Sequence, residues 1–396
     1  MTSKPSCLLT LPWSLQKPGG VNEVVKTLIR HMSAGGDLSP VVLVTNLSEQ
    51  AAEWDRAQPY PTFYEELGIP FYGPSKLRSC VSFFLRLPAR MSRLRRVFRE
   101  SNVRVVNVHY PNLGDLHYAV MRMLGLFQGG FLLSFHGTDA RAPAETRGLE
   151  RKLWRWLLGS ADLLITVSED MHPDLLALHP GCQPKLRTIR NGVDVEFCSS
   201  RPTERDRFPM ELEGKPVILS IGNFVEGKGH HILMRAFRQV LDRIPETRLV
   251  IVGGGDAYLP ELKRLHSELG LAERAFIVDN VPHERIPAYL SRSRLFALAT
   301  QAEAFCLAIL EAGAAGIPII STRARGIVEQ LKDGVTAKLV TVDDVDGLAK
   351  ALRELLDNPT EAERLAKNFR AEIQESLTWE HHYARYREVY TRCLRT

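Results

Sequence analysis

Cysteine is scarce and unpatterned. Six occur in 396 residues (Cys7, Cys80, Cys182, Cys198, Cys306 and Cys393), with no C-x-x-C pair and no histidine at metal spacing. This excludes a disulfide framework or structural zinc site, and suits a reducing compartment. No uncharged apolar run approaches the ~18 residues of a membrane span. The opening MTSKPSCLLTLPWSL is too short and interrupted for a signal peptide, so a cytoplasmic protein is expected. No G-x-x-x-x-G-K-[ST] is present, which removes the P-loop nucleotide enzymes. VIVGGGDAYLPEL offers Gly253 and Gly255, but Tyr258 stands where a dinucleotide fingerprint needs a third small residue. Solenoid periods and low-complexity segments are also missing.

What remains is a chain of ordinary globular composition, 44% hydrophobic and 24% charged. Its length exceeds the ~250–300 residues at which one core stops growing, so two domains are expected. Residues 1–200 carry 23 Lys and Arg against 18 Asp and Glu, whereas 201–396 carry 28 of each, so the net charge of +5 sits in the first half. CLLTL (7–11), PVVLVT (40–45), VRVVNVH (103–109), GFLLSFH (130–136) and DLLITVS (162–168) read as buried strands alternating with helical patterns. One such pattern places Val21, Val24, Val25, Leu28 and Ile29 on a single face. The polar stretch 199–216, with three prolines, reads as a linker. A second series follows: VILSIG (217–222), RLVIVGGG (248–255), AFIVDNV (275–281), RLFALAT (294–300), IPIIST (317–322) and AKLVT (337–341). The expectation is α/β: two tandem doubly wound, Rossmann-like domains facing a cleft, with parallel sheets. Domain limits are placed at 1–198 and 199–375, followed by a last helix over 376–396.

Four stretches bear on chemistry. EAFCLAILEAGAAGIPII (303–320) is almost wholly apolar yet carries Glu303 and Glu311, and burying an unpartnered carboxylate costs several kcal/mol. The spacing puts Glu303 on the loop after a strand and Glu311 two turns along the next helix, where both can meet a polyhydroxylated ligand. A solvent-facing helix is the plainer alternative. In SIGNFVEGKGHH (220–231) a strand ends in a glycine turn with Lys228, the makings of an anion site or of a simple surface turn. QKPGG (16–20) repeats that logic with Gly19 and Gly20. SFHGTD (134–139) ends a strand with His136, either a structural group or one that faces the ligand crevice.

Taken in order, these pieces resemble the retaining glycosyltransferases of the GT-B fold, family four (glycosyl transferases group 1). The resemblance runs from KPGG near residue 17 to TWEHHYARYREVY at 378–390. It includes VSEDM (167–171), IRNGVDVEFC (189–198), GNFVEGKG (222–229), the E-x7-E spacing and VEQLKDGVTAKLV (328–340). It implies a last helix that crosses back to the first domain, an acceptor-binding first domain and a donor-binding second. The donor would be a UDP- or GDP-linked sugar, with no cofactor and no metal. It implies donor contacts from Gly19, Gly20, Gly222, Asn223, Lys228, Val281, Glu303, Ala304, Phe305, Cys306, Leu307 and Glu311. Lys228 would neutralise the diphosphate, Glu303 and the amides after it would hold the sugar hydroxyls, and Glu311 would hold the ribose. His136 would touch the sugar from the other domain, so Glu303, His136 and Lys228 form the implied catalytic set.

Two departures stand out. The family usually has arginine where this chain has Asn223, and it usually reads E-G-F-G-L where this chain has Glu303-Ala304-Phe305-Cys306-Leu307. Arg325 is a candidate for the missing charge. A basic, apolar-interleaved segment over 76–104, with Arg86, Arg90, Arg93, Arg95, Arg96 and Arg99, suggests docking on an anionic membrane, and no recognition module points to nucleic acid. The expected protein is a cytoplasmic hexosyltransferase, possibly peripheral on the inner face of the cell membrane. It would act on a lipid-linked or saccharide acceptor in cell-surface polysaccharide or glycolipid synthesis. The alternatives are a catalytically reduced GT-B subunit that binds a partner in a glycosylation complex, or a soluble enzyme with a small-molecule acceptor.

Overall fold

The computed structural model describes residues 4–17, 19–46, 49–73, 75–200, 212 and 214–395, and most of the expected linker lies outside them. It divides into two units, 1–190 with 380–396, and 191–379.

The first unit holds β1 (Ser6–Leu11), β2 (Ser39–Val44), β3 (Thr62–Tyr64), β4 (Val103–His109), β5 (Gly130–Phe135), β6 (Leu163–Thr166) and β7 (Leu186–Thr188). They form one parallel sheet in the order β3-β2-β1-β4-β5-β6-β7. Every residue of β1 is buried, as helices on both faces of a parallel sheet require. The helix Gly20–Ser33 buries Val24, Val25, Leu28 and Ile29, whereas Val21 is only half-buried. β3 and β7 were not expected from the sequence: each is three residues long at an edge, too short for any periodic signal.

The helix Lys76–Glu100 corrects the expected basic patch. Its buried face is Cys80, Phe83, Arg90, Met91, Leu94 and Phe98, so Arg90 faces inward and cannot meet a membrane. Its guanidinium lies against Gly68, where any Cβ would collide with it. Arg93 is exposed but forked onto Glu65, with both N–O distances 2.6 Å. Arg86, Arg95, Arg96 and Arg99 are exposed. At ~1.5 Å per residue, the 25-residue helix outruns the seven-residue β4 that follows it. In its N-terminal half Cys80 and Phe83 are buried, while Leu77 and Leu85, on other faces, are each 77% exposed, with Val81 and Phe84 exposed beside them.

The last helix, Trp379–Arg395, lies in the first unit from Glu380 onward. Buried Tyr390 accepts a hydrogen bond from Asn107 Nδ2 (2.9 Å), and Tyr386 donates to Ser134 Oγ (3.1 Å), tying the helix to β4 and β5. Among the described residues, no helix is long and apolar enough to cross a membrane.

The second unit holds β8 (Val217–Ile221), β9 (Arg248–Gly253), β10 (Ala275–Asp279), β11 (Leu295–Leu298), β12 (Ile319–Thr322) and β13 (Lys338–Val340). These strands are parallel, in the order β10-β9-β8-β11-β12-β13. The units divide at 190/191 and 379/380 rather than at the expected 198/199 and 375/376. Backbone pairing explains the difference. Val193 N–H donates to Leu377 O (3.0 Å), and Trp379 N–H donates to Val193 O (3.3 Å). Asn191 Nδ2 donates to Phe305 O (3.3 Å), so residues 191–198 belong with the second sheet's helices.

Candidate functional site

In an open α/β sheet, ligands collect at the C-terminal strand ends where the strand order reverses. In the second unit that point lies between β8 and β11. The loops leaving these two strands carry Lys228 and Glu303, whose Nζ and Oε1 are 2.5 Å apart. Their side chains are 24% and 11% exposed, so the pair is largely withdrawn from water. Burial opposes charge on Lys228, but the Glu303 carboxylate outweighs it and holds the ammonium above its usual range. Lys228 therefore keeps its positive charge in the pair.

The turn that presents Lys228 is fixed from both strands. Gly229 takes a left-handed φ of 67°, and a Cβ there would overlap Ala299 O. Gly227 O accepts hydrogen bonds from Gln301 N–H (2.9 Å) and Thr300 Oγ1 (3.0 Å). His230 Nε2 donates to Gly222 O (3.0 Å), and burial pushes its imidazole down to about 4, leaving it neutral beside Lys228. Asn223 is exposed at the start of the turn and adds no charge.

The loop carrying Glu303 is held from beneath. Glu303 N–H donates to Arg325 O (3.0 Å), and Gly326 sits so close that a Cβ would overlap Glu303 O. Buried Gln330 grips the Cys306 peptide from both sides, its Oε1 accepting from Cys306 N–H (3.0 Å) and its Nε2 donating to Cys306 O (2.9 Å). The Cys306 amide, one of those expected to face a sugar, is thus engaged by Gln330 in this structure. The Cys306 side chain is buried at the N-cap of the helix Leu307–Ala314, and burial pushes its thiol up to about 12. Phe305 is likewise buried, while Ala304, Leu307 and Val281 are half-buried.

Glu311 lies on that helix, 9% exposed, and accepts a 2.7 Å hydrogen bond from His283 Nε2. The plainer alternative of a solvent-facing carboxylate is thus excluded. His283, Gln330 and Asn191 were missed by the sequence reading. Their partners lie 28, 24 and 114 positions away, beyond any local pattern.

Gly19, Gly20 and His136 belong to the first unit. There the reversal point lies between β1 and β4. Asn22 organises the loop after β1: its Nδ2 donates to Ser14 O (3.1 Å) and Lys17 O (2.7 Å), and its Oδ1 accepts from Trp13 Nε1 (2.9 Å). Gly19 and Gly20 are exposed where this loop enters the helix Gly20–Ser33. His136 follows directly on β5, with Nε2 3.0 Å from His109 Nδ1, and burial pushes it down to about 3. It is a neutral imidazole, able to hydrogen-bond but not to supply charge. Asp139 accepts the backbone N–H groups of His136 (3.0 Å) and Gly137 (2.6 Å), which fixes the bend after the strand.

Two parallel-sheet, Rossmann-like units with polar loops at their reversal points define the GT-B class. The fold is shared with a sucrose-phosphate synthase from Thermosynechococcus elongatus (TM-score 0.78, 21% identity, 98% of this chain and 99% of that one). Anabaena HepE, solved in complex with UDP, matches equally well (TM-score 0.78, 17% identity, again 98% and 99%). Residues 18–197 match the model of glycosyltransferase family 4, and residues 202–372 that of the glycosyl transferases group 1. The chain belongs to this glycosyltransferase family.

Among curated relatives, a GDP-mannose-dependent alpha-(1-6)-phosphatidylinositol monomannoside mannosyltransferase from Mycolicibacterium smegmatis is 31% identical over 218 residues, covering 53% of this chain and 57% of that protein. A glycogen synthase from Mycobacterium tuberculosis is 30% identical over 230 residues, covering 57% and 53%. The chain thus spans just over half the length of the curated relatives it matches.

Proposed function

We propose that the protein is a retaining, metal-independent hexosyltransferase that moves a sugar from a UDP- or GDP-linked donor. The observation that carries this reading is the Lys228–Glu303 ion pair at the reversal point of the second sheet, with Glu311 further along the adjoining helix. Lys228 would neutralise the diphosphate as it departs, which stabilises charge where it develops. Glu303 would take the hydroxyls of the transferred sugar, and Glu311 those of the ribose. Since Gln330 occupies the Cys306 amide, the amides of Ala304, Phe305 and Leu307 would complete the sugar contacts. In the transfer, the bond from the anomeric carbon to the phosphate oxygen breaks. An acceptor hydroxyl then attacks from the same face, and its proton passes to the departing phosphate.

Calorimetric titration without divalent metal, against UDP-, GDP- and ADP-sugars, tests the donor assignment. Selective binding is expected, weakened ~10-fold or more in Glu311→Ala, since hydrogen bonds to a charged group contribute ~1.5–3 kcal/mol. No binding by the folded protein would overturn the assignment and leave the catalytically reduced GT-B subunit. That second reading is favoured by the buried Cys306 side chain beside Lys228 and by uncharged Asn223.

For the acceptor we propose a lipid-linked saccharide taken from the inner face of a cell membrane, in the synthesis of a surface polysaccharide or glycolipid. The membrane-facing element would be the exposed face of the N-terminal half of Lys76–Glu100. There Leu77, Val81, Phe84 and Leu85 are exposed with Lys76, Arg78 and Arg86, and the helix has no acid before Glu100. Beside it lies a cavity of about 500 Å³ lined by Phe71, Lys76, Glu145, Arg147, Leu149 and Glu150, a candidate seat for the headgroup. The phosphatidylinositol monomannoside named in the Mycolicibacterium relative's activity agrees with this choice. Vesicles of phosphatidylglycerol and phosphatidylcholine should sediment the protein at low salt, and Leu77→Asp/Leu85→Asp should abolish that. Equal sedimentation of the double variant would sink the assignment of this face.

A further inference from the structure

We infer that His283 is a positioning residue for the Glu311 carboxylate, and through it a determinant of how the ribose of the donor is read; this rests on the donor reading above. His283 begins a single helical turn, His283–Arg285, after β10, and Pro282 before it fixes the entry with φ −57°. Its Nε2–H donates to Glu311 Oε1 at 2.7 Å. The ring also packs on Phe197, with centroids 5.1 Å apart and planes tilted by 32°. Phe197 is itself held because its N–H donates to Asp194 Oδ1 (2.8 Å) at the start of the short helix Val195–Cys198. The imidazole is therefore bounded by an aromatic ring and hydrogen-bonded to the carboxylate. Residues 191–198, which fold with the second unit, supply that boundary.

The consequence is geometric. A glutamate on a helix has three side-chain torsions, and an unpaired carboxylate there would sample several rotamers. Fixing Oε1 on His283 selects one of them and leaves Oε2, with the remaining lone pair of Oε1, to accept hydrogen bonds. Two vicinal hydroxyls need two acceptors at fixed spacing, as a held carboxylate provides. Loss of the imidazole would not remove the acceptor but would let it wander.

The test uses the full chain, with UDP and GDP as probes, each paired with its 2′,3′-dideoxy counterpart. His283→Ala should weaken whichever diphosphate the wild type binds by about 10-fold and leave the dideoxy analogue unchanged. His283→Gln, whose amide N–H can reach the same oxygen, should restore most of the affinity. Equal weakening of both ligands in His283→Ala, or no weakening of either, would overturn the inference. Should His283→Ala fail to fold, the glutamine variant decides alone: near wild-type binding is required, and ribose-independent loss refutes it. If the wild type binds neither UDP nor GDP, the donor reading has failed and this inference falls with it. A result in which Glu311→Ala matters and His283→Ala does not refutes this inference alone.

Discussion

Lys228→Ala should cut sugar transfer by ~10²–10³-fold, while Glu303→Gln should bind bare nucleoside diphosphate more tightly than the wild type. The two halves of this expectation follow from the same 2.5 Å ion pair. Without Lys228 the departing diphosphate loses the cation aimed at it, and removal of one preorganised donor of this kind costs ~10²–10³ in rate. The variant also leaves Glu303 without its cation at 11% exposure, so a lower melting temperature is expected. Glu303→Gln removes the anion that competes with the diphosphate for Lys228. A bare diphosphate, which brings no sugar hydroxyls to occupy Glu303, must break the ion pair at full cost in the wild type but not in the variant. Its affinity should rise about 10-fold, of the order expected for one partly exposed charge pair, whereas the sugar nucleotide loses its hydroxyl partner and its turnover. Calorimetry with diphosphate and turnover with sugar nucleotide separate these effects. Weaker diphosphate binding by Glu303→Gln would show that Glu303 does not hold Lys228 in reserve.

Gly326→Ala is the second large effect, and it acts without touching a ligand. Gly326 has φ 80°, which costs an L-residue ~1–2 kcal/mol before any contact is counted. Its Cβ would also overlap Glu303 O and press on Ala304 O, both backbone atoms that cannot swing away. The strand end, pinned by Glu303 N–H to Arg325 O, and the Cys306 peptide, gripped by Gln330, leave the loop little slack. Displacing Glu303 by ~1 Å should cut turnover ~100-fold, the cost of a misplacement of that size. A stability loss of ~2–4 kcal/mol is expected from strain plus overpacking. Gly334→Ala is the control. Its φ is 69° but no atom lies within 4 Å of its Cβ, so only the backbone strain remains and activity should be retained. Urea unfolding and turnover of both variants would measure the difference, and equal turnover would show that the loop is not held as tightly as its contacts imply.

Most of the two sheets was legible because strands of a parallel sheet are buried on both faces, and so read as near-continuous apolar runs. VRVVNVH occupies β4 over the expected residues, and other expected strands shift by one or two positions at their ends. β3 and β7 escaped because three edge residues carry no period. The anion turn and the two glutamates were legible for a different reason: a lysine among glycines and carboxylates in an apolar run are locally expensive, and the expense is visible in one dimension.

Which face of Lys76–Glu100 is buried was not legible. Arginines recur on every side of that helix, and only the burial of the face that carries Cys80, Phe83, Met91, Leu94 and Phe98 turned Arg90 inward and left Leu77 and Leu85 bare. The sequence by itself determined two α/β units and the residue types gathered at their strand ends, because hydrophobic period and glycine placement are local properties. Only the tertiary structure decided the partners: His283 on Glu311, Gln330 on the Cys306 peptide, Asn191 on Phe305, and the capture of residues 191–198 by the second unit. Each joins segments distant in the chain, and such contacts exist only once the sheets have closed the loops between them.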